Sequence, residues 1–218
     1  MIIYALGYII TFLFALHAIF LIYILFSTKK RLNRPITKNL NVAHSEDHAL
    51  YFAYGANMSS KYLTNIRNIH VLSTTRAILN GYTLTFNLKG RNFLEPGFSN
   101  ISPSENEQVE GVVHRVSKQD LDKIVKSEPT QYKMTDVEVM VDGEKVTAKT
   151  FVHVAEPNVS YRPSKRYLKL LTDAAKEHGL SETYIGKLNT TKYVYFPGLS
   201  ESYGAVIYYY LIKVSSRK

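Results

Sequence analysis

The sequence predicts an α+β domain: a small, mostly antiparallel β-barrel with flanking helices, preceded by one N-terminal transmembrane helix. Three observations carry that reading. Apolar and alternating runs recur through residues 49–154, punctuated by Asn80-Gly81 and Asp142-Gly143, so this stretch reads as strands joined by tight turns. One helical pattern is inserted among the strands and two follow them. Ile2 to Phe26 carries no Asp, Glu, Lys or Arg, and a helix of about 20 apolar residues crosses a bilayer core.

Ala49 to Tyr54 reads as a buried strand that Gly55 breaks, after which Ser59 or Ser60 caps a short helix running to about Arg67. Val71–Leu79 and Tyr82–Leu88 are predicted to form a hairpin about Asn80-Gly81. Lys89 to Asn106, rich in Gly, Asn, Pro and Ser, reads mostly as loop with a short strand near Ser99–Ser102. Val109–Val116 is the next strand. Ser117 opens the clearest helix, with Leu121, Ile124 and Val125 as an apolar stripe and Pro129 ending it after Glu128. Tyr132–Val141 and Lys145–Val154 flank Asp142-Gly143 as a second hairpin. Ser164 caps a helix to His178, stopped by Gly179, and Ser181–Leu188 is a shorter one. The tyrosine-rich tail, with an apolar run Ala205–Ile212 too short to span a membrane, is predicted to add a strand at the sheet edge, the alternative being an interfacial contact.

The chain divides accordingly into a membrane anchor at 1–28, a basic and polar linker at 29–48, the folded domain at 49–190 and a C-terminal extension at 191–218. STKKRLNR follows the apolar span and no Lys or Arg precedes it. The positive-inside rule then makes this a single-pass membrane protein with its domain in the cytoplasm. A cleaved leader wants a basic start, a shorter apolar run and a small-residue cleavage site, and none is present. With 0 Cys, disulfides, thiolate zinc sites and a cysteine nucleophile are excluded, and the 7 His show no metal-ligand spacing. No cofactor is called for. The formal charge of +9 reads as a solvated surface; nucleic acid needs basic and aromatic residues clustered on one face.

Two features point to chemistry. In YFAYGANM a strand runs into Gly55 and then a helix start, which aims several backbone N–H groups one way. Such a nest holds a carboxylate or a developing oxyanion; the plain alternative is a tight turn. Glu128 lies at a helix C-terminus beside a proline, where the negative end of the dipole and any burial both disfavour the ionised carboxylate, as suits a general base. Its plain alternative is a surface glutamate.

The blocks YFAYGANM, NGYTLTF, SNISPSENEQVEGVVHRV, SKQDLDKIVKSEPTQY and PSKRYLKLLTDAAKEHGLSETYIGKL, in that order, resemble the gamma-glutamylcyclotransferases over about Leu50 to Asn189. The resemblance implies a small barrel with flanking helices. It implies an enzyme that cleaves gamma-glutamyl amino acids to 5-oxoproline and a free amino acid by attack of the substrate's own α-amine. It places the general base at Glu128 and substrate binding at Tyr54, Gly55, Ala56, Asn57, Met58 and Ser59, with Phe151 near the pocket. A small gamma-glutamyl molecule is the expected partner, with no metal, and a homodimer is open. Three departures stand out: Ala56 replaces a serine, Pro129 a common glycine and Phe151 a tyrosine. They motivate a second reading, a catalytically weak or inactive membrane-tethered module of the same fold that binds a small ligand.

Overall fold

Tyr51, Phe52 and Ala53 are buried in succession, the pattern of a strand covered on both faces. They belong to β1 (His48–Ala53), the first stave of a five-stranded barrel in this computed structural model, which describes residues 48–156 and 158–215 together with 15, 17–20, 22 and 23. β1 runs antiparallel to β3 (Glu95–Ser117), from His48↔Ser117 to Ala53↔Val112. Its other edge meets β5 (Glu144–Val152) in parallel at Tyr51↔Lys149. β2 (Val71–Asn92) lies along β3 and reaches β4 (Lys133–Val141) at Ile78↔Met140, so the order β1-β3-β2-β4-β5 closes. Closure leaves the barrel without an open edge.

Asp142 (φ 50°) and Gly143 (φ 88°) join β4 to β5, with Val141 opposite Glu144. Both central residues at positive φ make this the turn whose twist matches the strands. The helices start on hydroxyl caps. Ser59 accepts from the Tyr62 amide at 3.2 Å ahead of α1 (Ser60–Arg67). Ser117 accepts from Asp120 ahead of α2 (Lys118–Ser127), Ser164 from Tyr167 ahead of α3 (Lys165–Glu177), and Ser181 from Tyr184 ahead of α4 (Glu182–Thr190). Each satisfies an amide the helix itself cannot. The core joins the barrel interior (Phe52, Leu79, Ile101, Val112) to the inner faces of the helices (Leu63, Leu171).

Four expectations are corrected. Asn80-Gly81 does not turn a hairpin: β2 continues through it, and Gly81 (φ 77°) sits at a register shift where Asn80 pairs Gln108 and Tyr82 pairs Pro103. A bulge and a tight turn both want positive φ, so the dipeptide signals either. Residues 89–106 are strand, not loop, apart from the turn at Phe93-Leu94. Pairing with β2 supplies the backbone partners that composition hides, and Pro103 falls beside the bulge. Val125 is 41% exposed, so the buried face of α2 is Leu121 and Ile124. The C-terminal tail forms a helix, α5 (Leu199–Ser215), because a closed barrel offers no edge for a further strand. The predicted membrane span lies mostly outside the described residues. Among those described, no helix is long and apolar enough to cross a membrane.

Gly111 lets β3 approach β1 closely. A Cβ there would meet the Ala53 carbonyl and come within 2.8 Å of the Phe52 ring. Gly111→Ala is expected to destabilise the fold by about 2–3 kcal/mol through overpacking, measured as a lower urea midpoint.

Candidate active site

The strand ends at the barrel rim, and there the chain needs space. At Gly55 a Cβ would lie 2.5 Å from Ser99 Oγ and 3.2 Å from the Tyr167 hydroxyl. Its φ of −118° is open to any residue, so close approach is what demands glycine. Ala56–Met58 then form one 3₁₀ turn, in which the Met58 amide donates to Gly55 O (3.0 Å) and the Ser59 amide to Ala56 O (3.3 Å). Gly55, Ala56 and Asn57 line the cavity described below.

Two histidines hold the turn from behind. His114 on β3 is fully buried, and its Nε2 is 2.8 Å from the Asn57 carbonyl. A carbonyl only accepts, so Nε2 carries the proton and Nδ1 accepts from the Thr74 hydroxyl at 2.8 Å. His178, at the end of α3, reaches the Met58 carbonyl at 2.9 Å, and the two rings lie 6.4 Å apart.

Held this way, Asn57 points its amide at the end of α2. Nδ2 donates to the Tyr51 hydroxyl (2.9 Å) and to Glu128 Oε1 (2.8 Å). The same carboxylate oxygen takes a 2.6 Å bond from Arg67 Nη1 at the end of α1. Both side chains of that ion pair are largely covered, at 15% and 11% exposure. Burial pulls the Arg67 pKa down, but Glu128, with smaller help from Tyr62 and Tyr51, more than offsets this, so the guanidinium stays charged. Asn57 Oδ1 is buried with no partner among the described residues.

A cavity of about 880 Å³ opens over this cluster, and Glu128 and Gly55 share it. Of the predicted site residues, Tyr54, Gly55, Ala56, Asn57, Glu128 and Phe151 line it, as does Pro129. Met58 and Ser59 are not among its lining residues: the Met58 side chain is fully buried in the core, and the Ser59 hydroxyl caps α1. Phe151 packs edge-on to Tyr51 (5.8 Å) and beside Tyr132 (5.9 Å), and its carbonyl accepts from the Tyr54 hydroxyl at 2.6 Å.

The phenols around Glu128 stay protonated. Burial raises Tyr51, Tyr54 and Tyr132, and pushes Tyr167 up to about 12. They are hydrogen-bonding groups, not bases. The other cavity carboxylate, Glu95, is 1% exposed and accepts from both Arg166 and Ser164 Oγ. Lys89, Arg91, Lys123 and Lys126 add positive charge to the walls. Sequence reasoning missed Arg67, Tyr51 and Ser99, since nothing local marks a basic residue at a helix end as the counter-ion of a carboxylate 61 positions away. It also missed α5, whose Ile207 and Tyr210 close part of the cavity.

The chain is similar to known proteins in sequence and fold. The model of the AIG2-like family matches residues 108–188. The gamma-glutamylcyclotransferase of Bos taurus is 31% identical over 148 residues, covering 65% of this chain and 77% of that protein. The Homo sapiens protein of the same name is 29% identical over 150 residues, covering 66% and 78%. A solved gamma-glutamyl cyclotransferase superposes with a TM-score of 0.59 at 27% identity, over 69% of this chain and 92% of its own.

The buried histidine makes a prediction on pH. Burial lowers His114 from 6.5 to about 4. Between those values the unfolded chain binds the proton and the folded chain does not, so stability rises with pH across that window. Acidifying from pH 6.5 to 4 should therefore remove about 3 kcal/mol through this residue, at about 1.4 kcal/mol per pH unit. Urea unfolding of wild type and His114→Gln over this range is expected to show a flatter dependence in the variant.

Proposed function

The chain belongs to the gamma-glutamylcyclotransferase family, and we propose that it is an active enzyme releasing 5-oxoproline from gamma-glutamyl amino acids. The observation that carries this reading is Glu128 set 2.8 Å from Asn57, in one cavity with the Gly55 turn. The substrate supplies its own nucleophile. Its α-amine attacks its γ-carbonyl carbon and forms the ring C–N bond, while Glu128 takes the proton the amine sheds. The γ-amide C–N bond then breaks, and the proton passes to the departing amine. No water is consumed. The protein must fold a flexible chain, which is worth an effective molarity of about 10⁵–10⁸ M in well-oriented cases.

Each neighbour has a part in this scheme. Asn57 Nδ2 and Arg67 fix the carboxylate, and the unpartnered Oδ1 of Asn57 suits an N–H of the substrate amine. The amides of Gly55 and Ala56 face substrate oxygen, so replacing the family serine by Ala56 removes a hydroxyl but keeps a backbone donor. Pro129 leaves Glu128 in the cavity, with extended backbone (φ −83°, ψ 154°) beyond α2. Lys89, Arg91, Lys123 and Lys126 suit a substrate carrying carboxylates. In this reading the enzyme works at a membrane, tethered through Ile2–Phe26 with its domain on the cytoplasmic side.

Glu128→Gln keeps the size of the side chain and removes its basicity. It is expected to cut kcat for 5-oxoproline release by about 10²–10⁴-fold while the far-UV circular dichroism stays that of the folded wild type, with a lower urea midpoint because Arg67 loses its counter-ion. Turnover at the wild-type rate would remove Glu128 as the base. No 5-oxoproline from the wild type with any gamma-glutamyl substrate would remove the activity itself.

A further inference from the structure

The exposed large apolar side chains are not scattered. Among the described residues all but two, Val125 and Val154, come from three pieces of chain. One is Phe93 (65% exposed) at the tip of the β2–β3 turn. The second runs from Tyr193 through Phe196 and Leu199 to Val206 and Tyr210. The third is Ile19, Phe20, Ile22 and Tyr23 of the N-terminal segment.

These pieces touch. Phe93 and Phe196 make an edge-to-face pair at 5.8 Å, both exposed. Leu199, Val206 and Tyr210 are spaced by seven and four residues, which places them on one stripe of α5. Phe20 meets Tyr209 of α5 at 6.3 Å. The N-terminal residues stay 48–65% exposed despite that contact, so they extend the apolar surface and do not cover it. Basic residues edge the same pieces: Arg91 lies two positions before Phe93, and Lys192 precedes Tyr193. Aromatic and aliphatic side chains beside cations, continuous with an uncharged 25-residue segment, complement an anionic bilayer surface.

We propose that α5 and the β2–β3 tip form a membrane-docking face. It lays the domain on an anionic bilayer with Phe93, Phe196, Leu199, Val206 and Tyr210 in the interface. The inference rests on the N-terminal anchor reading and adds a second, independent contact. It also concerns the site, because α5 supplies Ile207 and Tyr210 to the cavity wall. The lipid-facing helix is then also a wall of the substrate chamber.

The protein contains no Trp, so a single introduced indole reports its own surroundings. Full-length F93W, V206W, F20W and the control V154W are reconstituted in phosphatidylcholine–phosphatidylserine vesicles with brominated acyl chains. L199W replaces either patch variant should it not fold by circular dichroism. The expected result is quenching and a blue shift for F93W and V206W, with V154W unquenched. Quenching of F20W alone would keep the anchor and overturn the docking face. Quenching of only one patch position, equal quenching of V154W, or none at any position would overturn it as well. A blue shift of F93W without lipid would do the same, by showing the face covered by protein.

Discussion

One carboxylate oxygen organises the candidate site. Glu128 Oε1 accepts from Asn57 and from Arg67, and through them it binds the end of α2 to the 3₁₀ turn after β1 and to the end of α1. A largely covered ion pair contributes little net stability, because desolvation opposes the attraction. Removing one partner nevertheless leaves a charge uncompensated. Three segments distant in sequence are thus locked in register by a contact whose loss is costly. The Asn57 amide adds direction: both hydrogens of Nδ2 are used, so Oδ1 is turned away from them.

Behind this cluster the barrel supplies rigidity. His114 rises from β3 and His178 from the end of α3, and they grip consecutive carbonyls of the turn. Gly55 fits against Ser99 and Tyr167 with no room for a methyl group. The turn is therefore held on both sides, by hydrogen bonds from the core and by steric contact from the cavity. Preorganised donors of this kind act on charge developing in a transition state without having to reorient.

Much of this was legible in the residues. Hydroxyl caps at Ser59, Ser117, Ser164 and Ser181 and the Asp142-Gly143 turn are local signals, and the structure has them where local physics puts them. Glu128 and the Gly55 turn stood out for the same reason, as a helix end and a strand end. What escaped was non-local. Asn80-Gly81 reads as a turn until β3 is seen to pair with both sides of it. Residues 89–106 read mostly as loop because their backbone partners lie on another strand. Tyr and Val in the tail favour a strand in isolation, yet the closed sheet has no place for one. Arg67 finds Glu128 only once the fold brings the C-terminal ends of α1 and α2 together.

The seam of the barrel sets the order in which the site can come into being during synthesis. Tyr51 sits where β1 meets β5, opposite Lys149, and β1 needs that last stave to complete its pairing. Glu128 and the Gly55 turn are both made before β5 leaves the ribosome, and α5, which adds Ile207 and Tyr210 to the cavity wall, follows β5. A chain ending before β5 would carry every residue of the Asn57–Glu128–Arg67 cluster but lack the cavity wall that Phe151, Tyr167, Ile207 and Tyr210 supply. Enclosure of the candidate site is thereby tied to segments that follow Glu128 in the sequence.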